Sequence, residues 1–143
     1  MRIMLAILLA TSATMATSAE ACREDRSPAQ KLSNGYQGGT ISAVAVITIS
    51  HAAYTHEPVS DAHPWMASGT VDRVVYGSYI AVTVRFVRGW GSSACDDGLP
   101  PPKVGERWVP YLTTGADDRQ RVWLAYPAEV ARAADLTHLR DVR

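Results

Sequence analysis

The sequence predicts a small, mainly β domain, a five-stranded antiparallel barrel with a short helix near each end. Three observations carry that expectation. Thr40–Ser50 (TISAVAVITIS) and Ile80–Phe86 show the two-residue period of strands and are rich in β-branched residues. Gly69–Val87 (GTVDRVVYGSYIAVTVRFV) reads as a hairpin turning at Tyr76-Gly77-Ser78-Tyr79, where Gly-Ser suits a type II′ turn. The strand-like runs that follow the N-terminal segment number about five, too few for a seven-stranded sandwich and enough for a small barrel.

The elements follow in order. Met1–Ala21 is a signal peptide: Arg2 is basic, Ile3–Ala10 is apolar, and small residues run from Thr11 to Ala19. Its apolar run is too short to cross a bilayer, which takes roughly 20 residues. Cleavage fits after Ala19, leaving Glu20 first, and equally after Ala21, leaving Cys22 first. Residues 22–143 then form one domain. Ser27-Pro28 is an N-cap with proline at the first helical position, and Asn34-Gly35 is expected to end that helix. Thr40–Ser50 is a strand with Ile41, Ala43, Ala45, Ile47 and Ile49 on one face and Val44 and Val46 on the other. Apolar residues on both faces predict cover on both sides.

His51–Trp65 is an irregular connection. Trp65–Tyr76 and Tyr79–Val87 are the hairpin arms, with Ile80, Val82, Val84 and Phe86 expected in the core. Arg88–Gly105 is a long loop stiffened by three consecutive prolines. Glu106–Leu112 is a strand whose Pro110 predicts an edge position or a bulge. Gln120–Tyr126 is the last strand. Pro127 opens a terminal helix with Val130, Ala133 and Ala134 expected inward, and Glu129 and Arg132 in solvent.

Composition narrows the function. Fourteen basic residues balance fourteen acidic ones, which argues against nucleic acid or an anionic membrane as partner. The leader implies export to the periplasm or the extracellular space. In that oxidising setting the two cysteines, Cys22 and Cys95, are expected to pair as a structural staple. Such a bridge stabilises by roughly 4 kcal/mol in the chain-entropy model. No motif for a nucleophile elbow, a zinc protease or a phosphate loop is present, and no cofactor is expected.

Several short segments resemble the OB-fold of the netrin-like type, the fold of tissue inhibitors of metalloproteinases. They are Cys22 near the mature N-terminus, Gly69-Thr70-Val71, Val82–Phe86, Gly105-Glu106-Arg107-Trp108-Val109, and Trp123–Tyr126 before a terminal helix. The chain also resembles small exported proteobacterial proteins of unknown function. The netrin-like resemblance implies a protease inhibitor that chelates a target's zinc through the amine and carbonyl of Cys22. Here Cys22-Arg23-Glu24 replaces the paired cysteines of that family.

Three groups of residues are candidates for a site. His51, His56 and His63, with Glu57 and Asp61, crowd one connection and are the candidate metal ligands, for a metal-binding protein or a small hydrolase. Their spacing matches no finger or helical motif, and a solvated loop collects such residues by itself. Arg73 and Arg85, on the outer face of the hairpin where OB barrels take ligands, are candidate binding residues together with Trp65 and Trp90, and core packing is the default expectation for each tryptophan. Asp96-Asp97 and Asp117-Asp118 read as turn residues. The primary expectation is a binding or structural module of the envelope, with an unknown protein or envelope component as its partner.

Overall fold

The computed structural model describes residues 27–55, 65–88 and 100–142. Cys22, Cys95, His56, His63, Glu57, Asp61, Trp90 and the leader lie outside them. The described residues form five antiparallel strands in one sheet, with three short helices. In chain order these are α1 (Pro28–Gln37), β1 (Ala43–Tyr54), β2 (Trp65–Gly77), β3 (Thr83–Arg88), β4 (Arg107–Thr114), β5 (Gln120–Pro127), α2 (Ala128–Ala134) and α3 (Leu136–Leu139). The sheet order is β3-β2-β1-β4-β5. None of the described helices is long and apolar enough to cross a membrane.

β1 lies at the centre because its first half, Ala43–Ile47, has no polar face to offer. Ala43, Ala45, Ile47 and Ile49 belong to one core, with Trp65, Ala67, Val84, Phe86, Trp108 and Leu112. Val44 and Val46 belong to a second core, with Leu32, Val109, Tyr111, Tyr126, Ala131 and Leu139. The first core is built from strands alone and fills the inside of the curled sheet. The second lies between the sheet and the helices. Alanines at 43, 45 and 67 make room for the Trp65, Phe86 and Trp108 rings, which meet at centroid distances of 5.7–5.9 Å.

Three bulges curl the β1–β2 pair. The register steps from Val44↔Tyr76 to Ala45↔Val74, from Val46↔Arg73 to Ile47↔Val71, and from Ile49↔Gly69 to His51↔Ser68. Val75, Asp72 and Ser50 are the extra residues, and each sharpens the local twist. Asp72 also gains a task, accepting from Thr48 Oγ1 at 2.8 Å with Arg107 Nε 3.9 Å away.

The bulges explain why the hairpin departs from its expected form. β2 bends away with β1 beyond Thr70, so β3 pairs only with Trp65–Thr70, in the register Thr70↔Thr83. No two-residue turn forms at Gly77-Ser78. Residues 78–82 run back outside the ladder, held by Gln120 Nε2 donating to the Ser78 carbonyl at 2.8 Å and by Val71 N donating to Val82 O at 2.9 Å. Val84 and Phe86 are buried as expected, but Ile80 is 97% exposed and Val82 76% exposed.

Other expectations are corrected in detail. The first helix does not stop at Gly35. It runs to Gln37 with Gly38 as C-cap, after a Ser27–Gln30 capping box at its start. Gly35 is buried, and a Cβ there would collide with the Trp123 ring and lie 2.8 Å from Ile41 Cδ1. Trp123 reaches the helix because it is itself a bulged residue: Tyr111 pairs with Leu124 and Leu112 with Val122. Pro110 sits in an interior strand, not at an edge, and a bulge does lie next to it, where the β4–β5 register shifts between Tyr111 and Leu112. β4 pairs with β1 at Tyr111 and Trp108 on either side of Pro110, with no pair at Pro110 itself, so its missing N–H leaves no donor wanting. The terminal helix breaks in two at Asp135; Ala131 and Leu139 are buried and Ala134 packs against the second core as expected, whereas Val130 and Ala133 are exposed.

No ladder joins β3 to β5 among the described residues, so the sheet is curled and is not closed as a barrel. Arg88 spans the gap. Its Nη1 donates to the Ala125 carbonyl at 2.7 Å, and its guanidinium lies 5.8 Å from the Trp108 ring and 5.9 Å from that of Tyr126.

Two glycines test how tightly the β2 end is seated. Gly39 (φ 67°) and Gly77 (φ 66°) both sit in left-handed backbone, but a Cβ on Gly39 meets open space, whereas one on Gly77 collides with the Ser42 carbonyl. Gly39→Ala is expected to cost about 1–2 kcal/mol, the left-handed penalty alone. Gly77→Ala is expected to cost about 1–3 kcal/mol more, from overpacking. Urea unfolding midpoints of the two variants check the difference.

Candidate functional site

The second core ends at a solvent-open cleft where α1, α3 and the end of β2 meet. Its volume is about 460 Å³. Each element delivers one ring for a local reason. α1 is fixed by its capping box and presents Tyr36 one turn after buried Leu32. The bulge at Val75 turns β2 so that Tyr76 stands at the strand's end, half exposed. α3 begins at Asp135, whose Oδ1 accepts from the His138 backbone N–H at 3.3 Å and thereby places His138 three residues on.

Asp135 organises the group. It is the buried carboxylate of the described core, 6% exposed, and a buried carboxylate requires partners. Tyr36 Oη donates to its Oδ2 at 2.6 Å, and His138 Nδ1 meets its Oδ1 at 2.8 Å. The His138 ring stacks on Tyr36, with centroids 4.6 Å apart at 28°. Tyr76 stands edge-on to both, 5.3 Å from Tyr36 and 5.0 Å from His138. Asp135, Tyr36 and Tyr76 thus fix the imidazole from three directions. Its Nε2 has no hydrogen-bond partner among the described residues.

Burial, the Asp135 hydrogen bond and the Asp135 charge push the Tyr36 hydroxyl far above the ordinary tyrosine range. Burial, followed by the charge of the same carboxylate, does likewise for Tyr111 beneath it. The Tyr111 hydroxyl is buried and makes no hydrogen bond among the described residues. Both phenols therefore stay protonated in the folded state.

The residues singled out from sequence fall elsewhere. Trp65 is 1% exposed and packs in the first core against Phe86 and Trp108. Arg73 Nη2 donates to the Asp141 carbonyl at 3.0 Å, tying β2 to the C-terminal segment. Arg85 is exposed and lies against the Met66 sulfur. The structure does not bring Arg73, Arg85 and Trp65 into one site. His51 is exposed on β1 opposite Ser68. Among the described residues, no group of three histidine, cysteine, aspartate or glutamate side chains is placed to hold a metal ion.

Asp135 and His138 are not among the candidates that the sequence offers. The signal was there in Asp135-Leu136-Thr137-His138, an N-cap residue followed three positions on by a side chain able to bond back to it. It was hidden inside a stretch that reads as one continuous helix.

No model of a known protein family matches the chain, and no curated protein or solved structure matches it either.

The raised tyrosine hydroxyls have a pH consequence. A group whose folded pKa is raised contributes stability that is complete below its unfolded value, about 10 for tyrosine, and is lost as pH rises above it. Unfolding free energy is therefore expected to fall above about pH 10, because there the phenols ionise once the chain unfolds but hold their protons while it is folded. Tyr36→Phe is expected to lower stability by about 1–3 kcal/mol at neutral pH through the lost hydrogen bond to Asp135. It should also make the alkaline decline shallower. Urea titrations across that range, with phenolate absorbance followed in parallel, test both.

Proposed function

We propose that this chain is an exported binding module of the cell envelope, a curled OB-like β-barrel domain that recognises its partner in the Tyr36–Tyr76–His138 cleft. In this reading the Met1–Ala21 leader directs export, and a Cys22–Cys95 bridge ties the mature N-terminus to the loop after β3. The strand order, with β1 between β2 and β4 and Arg88 spanning β3 and β5, supports the OB-like description. The observation that carries the function is the cleft itself: three rings fixed against one another over a carboxylate already committed to its own neighbours.

Rigid aromatic groups lose little entropy when a ligand lands on them, and binding clefts are typically concave, part apolar and supplied with a few placed polar atoms. The cleft has that composition. Two other hollows, each of about 480 Å³, have no aromatic ring among their described lining residues: one between the start of β4 and α2, lined by Glu106, Arg107, Glu129 and Arg132, and one between the start of α1 and α2, lined largely by Pro28, Ala29, Val130 and Ala133.

A second reading is favoured by one distance. The 2.8 Å contact between Asp135 Oδ1 and His138 Nδ1 is the geometry that orients an imidazole as a general base, which suits a small hydrolase. The carboxylate's other bonds, to Tyr36 Oη and to the α3 backbone, are structural, and this favours binding over turnover.

Cosedimentation of the mature protein with a bacterial envelope preparation tests the binding reading. The wild type is expected in the pellet. Tyr76→Ala should reduce retention at least about 10-fold, equivalent to about 1.4 kcal/mol, with its thermal unfolding unchanged. Failure of the wild type to pellet, or equal retention of the variant, refutes the reading. Consumption of an ester substrate that is lost in His138→Ala supports the hydrolase instead.

A further inference from the structure

We infer that the ligand of this cleft is a neutral, hydroxyl-rich ring compound: a short stretch of uncharged glycan. The inference rests on the cleft being the binding site and adds the chemical class of what it takes.

The argument begins with charge. Among the described residues, no lysine or arginine lines the cleft. Its carboxylate, Asp135, is buried, and its oxygens already accept from Tyr36 Oη, the His138 backbone and the His138 ring. A carboxylate offers about four acceptor sites, so little of Asp135 is left for an incoming ammonium group. A phosphate or carboxylate ligand meets no guanidinium or ammonium. Either kind of ion would give up its hydration for no fixed counter-charge, and burying an unpaired charge is costly.

Apart from the His138 imidazole, the polar side chains that remain open to a ligand are amide and hydroxyl groups, which carry no charge and both donate and accept. Ser33 and Gln37 lie one helical turn apart on α1, joined by Gln37 Nε2 donating to Ser33 Oγ at 3.3 Å. That bond leaves the Gln37 carbonyl oxygen and its second N–H, together with the Ser33 proton, for a ligand. Thr137 adds a hydroxyl, and His138 adds Nε2. Tyr76, 39% exposed, adds an open ring face and a hydroxyl with no partner among the described residues.

Sugar hydroxyls also donate and accept at each oxygen. The C–H face of a pyranose carries slight positive charge and suits the negative face of an aromatic ring. An apolar ligand would leave the amide and hydroxyls unpaired, at about 1–3 kcal/mol for each one buried. The mixture of one exposed ring face with several uncharged donor-acceptor groups therefore selects a neutral polyol ring over a fatty, anionic or cationic ligand. The volume of about 460 Å³ has room for more than one sugar ring.

Isothermal titration of the mature protein with tri-N-acetylchitotriose and with cellotriose tests this, with trilysine and triglutamate as charged controls. Saturable binding of at least one neutral trisaccharide is expected at millimolar affinity or tighter, with neither charged peptide bound. Tyr76→Ala and Gln37→Ala should each weaken it at least 10-fold, whereas Arg85→Ala, on the opposite part of the hairpin, should leave it unchanged. Two results overturn the glycan assignment: absence of binding to both trisaccharides, and binding that survives Tyr76→Ala and Gln37→Ala together. If envelope retention through Tyr76 persists while both sugars fail to bind or compete, the glycan assignment is wrong and the binding reading stands. If retention fails as well, both are wrong.

Discussion

The structure depends on one constraint: β1 has to be covered on both faces. Its central residues alternate between two cores without a polar position among them, from Ala43 to Ile47. Each buried valine or isoleucine among them contributes about 1.5–3 kcal/mol when removed from water. A strand of that composition cannot form one solvated layer of a simple sheet. One side is covered by curling the sheet onto itself, which places Trp65, Phe86 and Trp108 inside the curl. The other side is covered by α1 and by the C-terminal helices. Both solutions require β2 to bend with β1, and the three bulges provide the bend.

The candidate site follows from the second cover. Helices laid over a strand face must end somewhere, and their ends carry polar backbone groups that need partners. Asp135 meets that need for α3. It does so from within the apolar layer, and so it requires bonds of its own. Tyr36 on α1 and His138 on α3 supply them. The carboxylate is thus at once a helix cap, a link between two helices that are 99 residues apart through the Tyr36 pair, and the anchor of the imidazole. A group held by so many bonds is a poor reservoir of reactivity and a good support for a fixed surface. This is the physical ground for reading the cleft as a recognition site.

Much of the fold was legible because it is local. The Ser27-Pro28 cap, the double-faced apolar pattern of Thr40–Ser50 and the final strand from Gln120 follow from residue types within a few positions of one another. What could not be read was non-local. Ile80 and Val82 have the period of core residues, and nothing within their own segment says that β2 will bend away beneath them. Gly35 looks like a helix terminator until the ring of Trp123 is placed against it. Pro110 signals an edge or a bulge, and which of these holds depends on where β1 and β5 pair around it. The site was illegible for the same reason, since Tyr36, Tyr76 and His138 carry no shared spacing. Only the Asp135–His138 step was local, and it lay concealed in a stretch with uniform helical character.

The same reasoning explains why the hairpin's outer face is the weaker candidate for recognition. Arg73 is occupied by the Asp141 carbonyl, and Trp65 is spent on the core. Ile80 and Val82 stand out into solvent on a pinned segment, away from the three rings of the cleft. Recognition needs surface that is rigid before the ligand arrives, because ordering it afterwards costs free energy that binding has to supply. In the Tyr36–Tyr76–His138 cleft that ordering is already complete. The folding of α1, β2 and α3 onto the outer face of β1 sets the three rings, and the buried bonds of Asp135 hold two of them there.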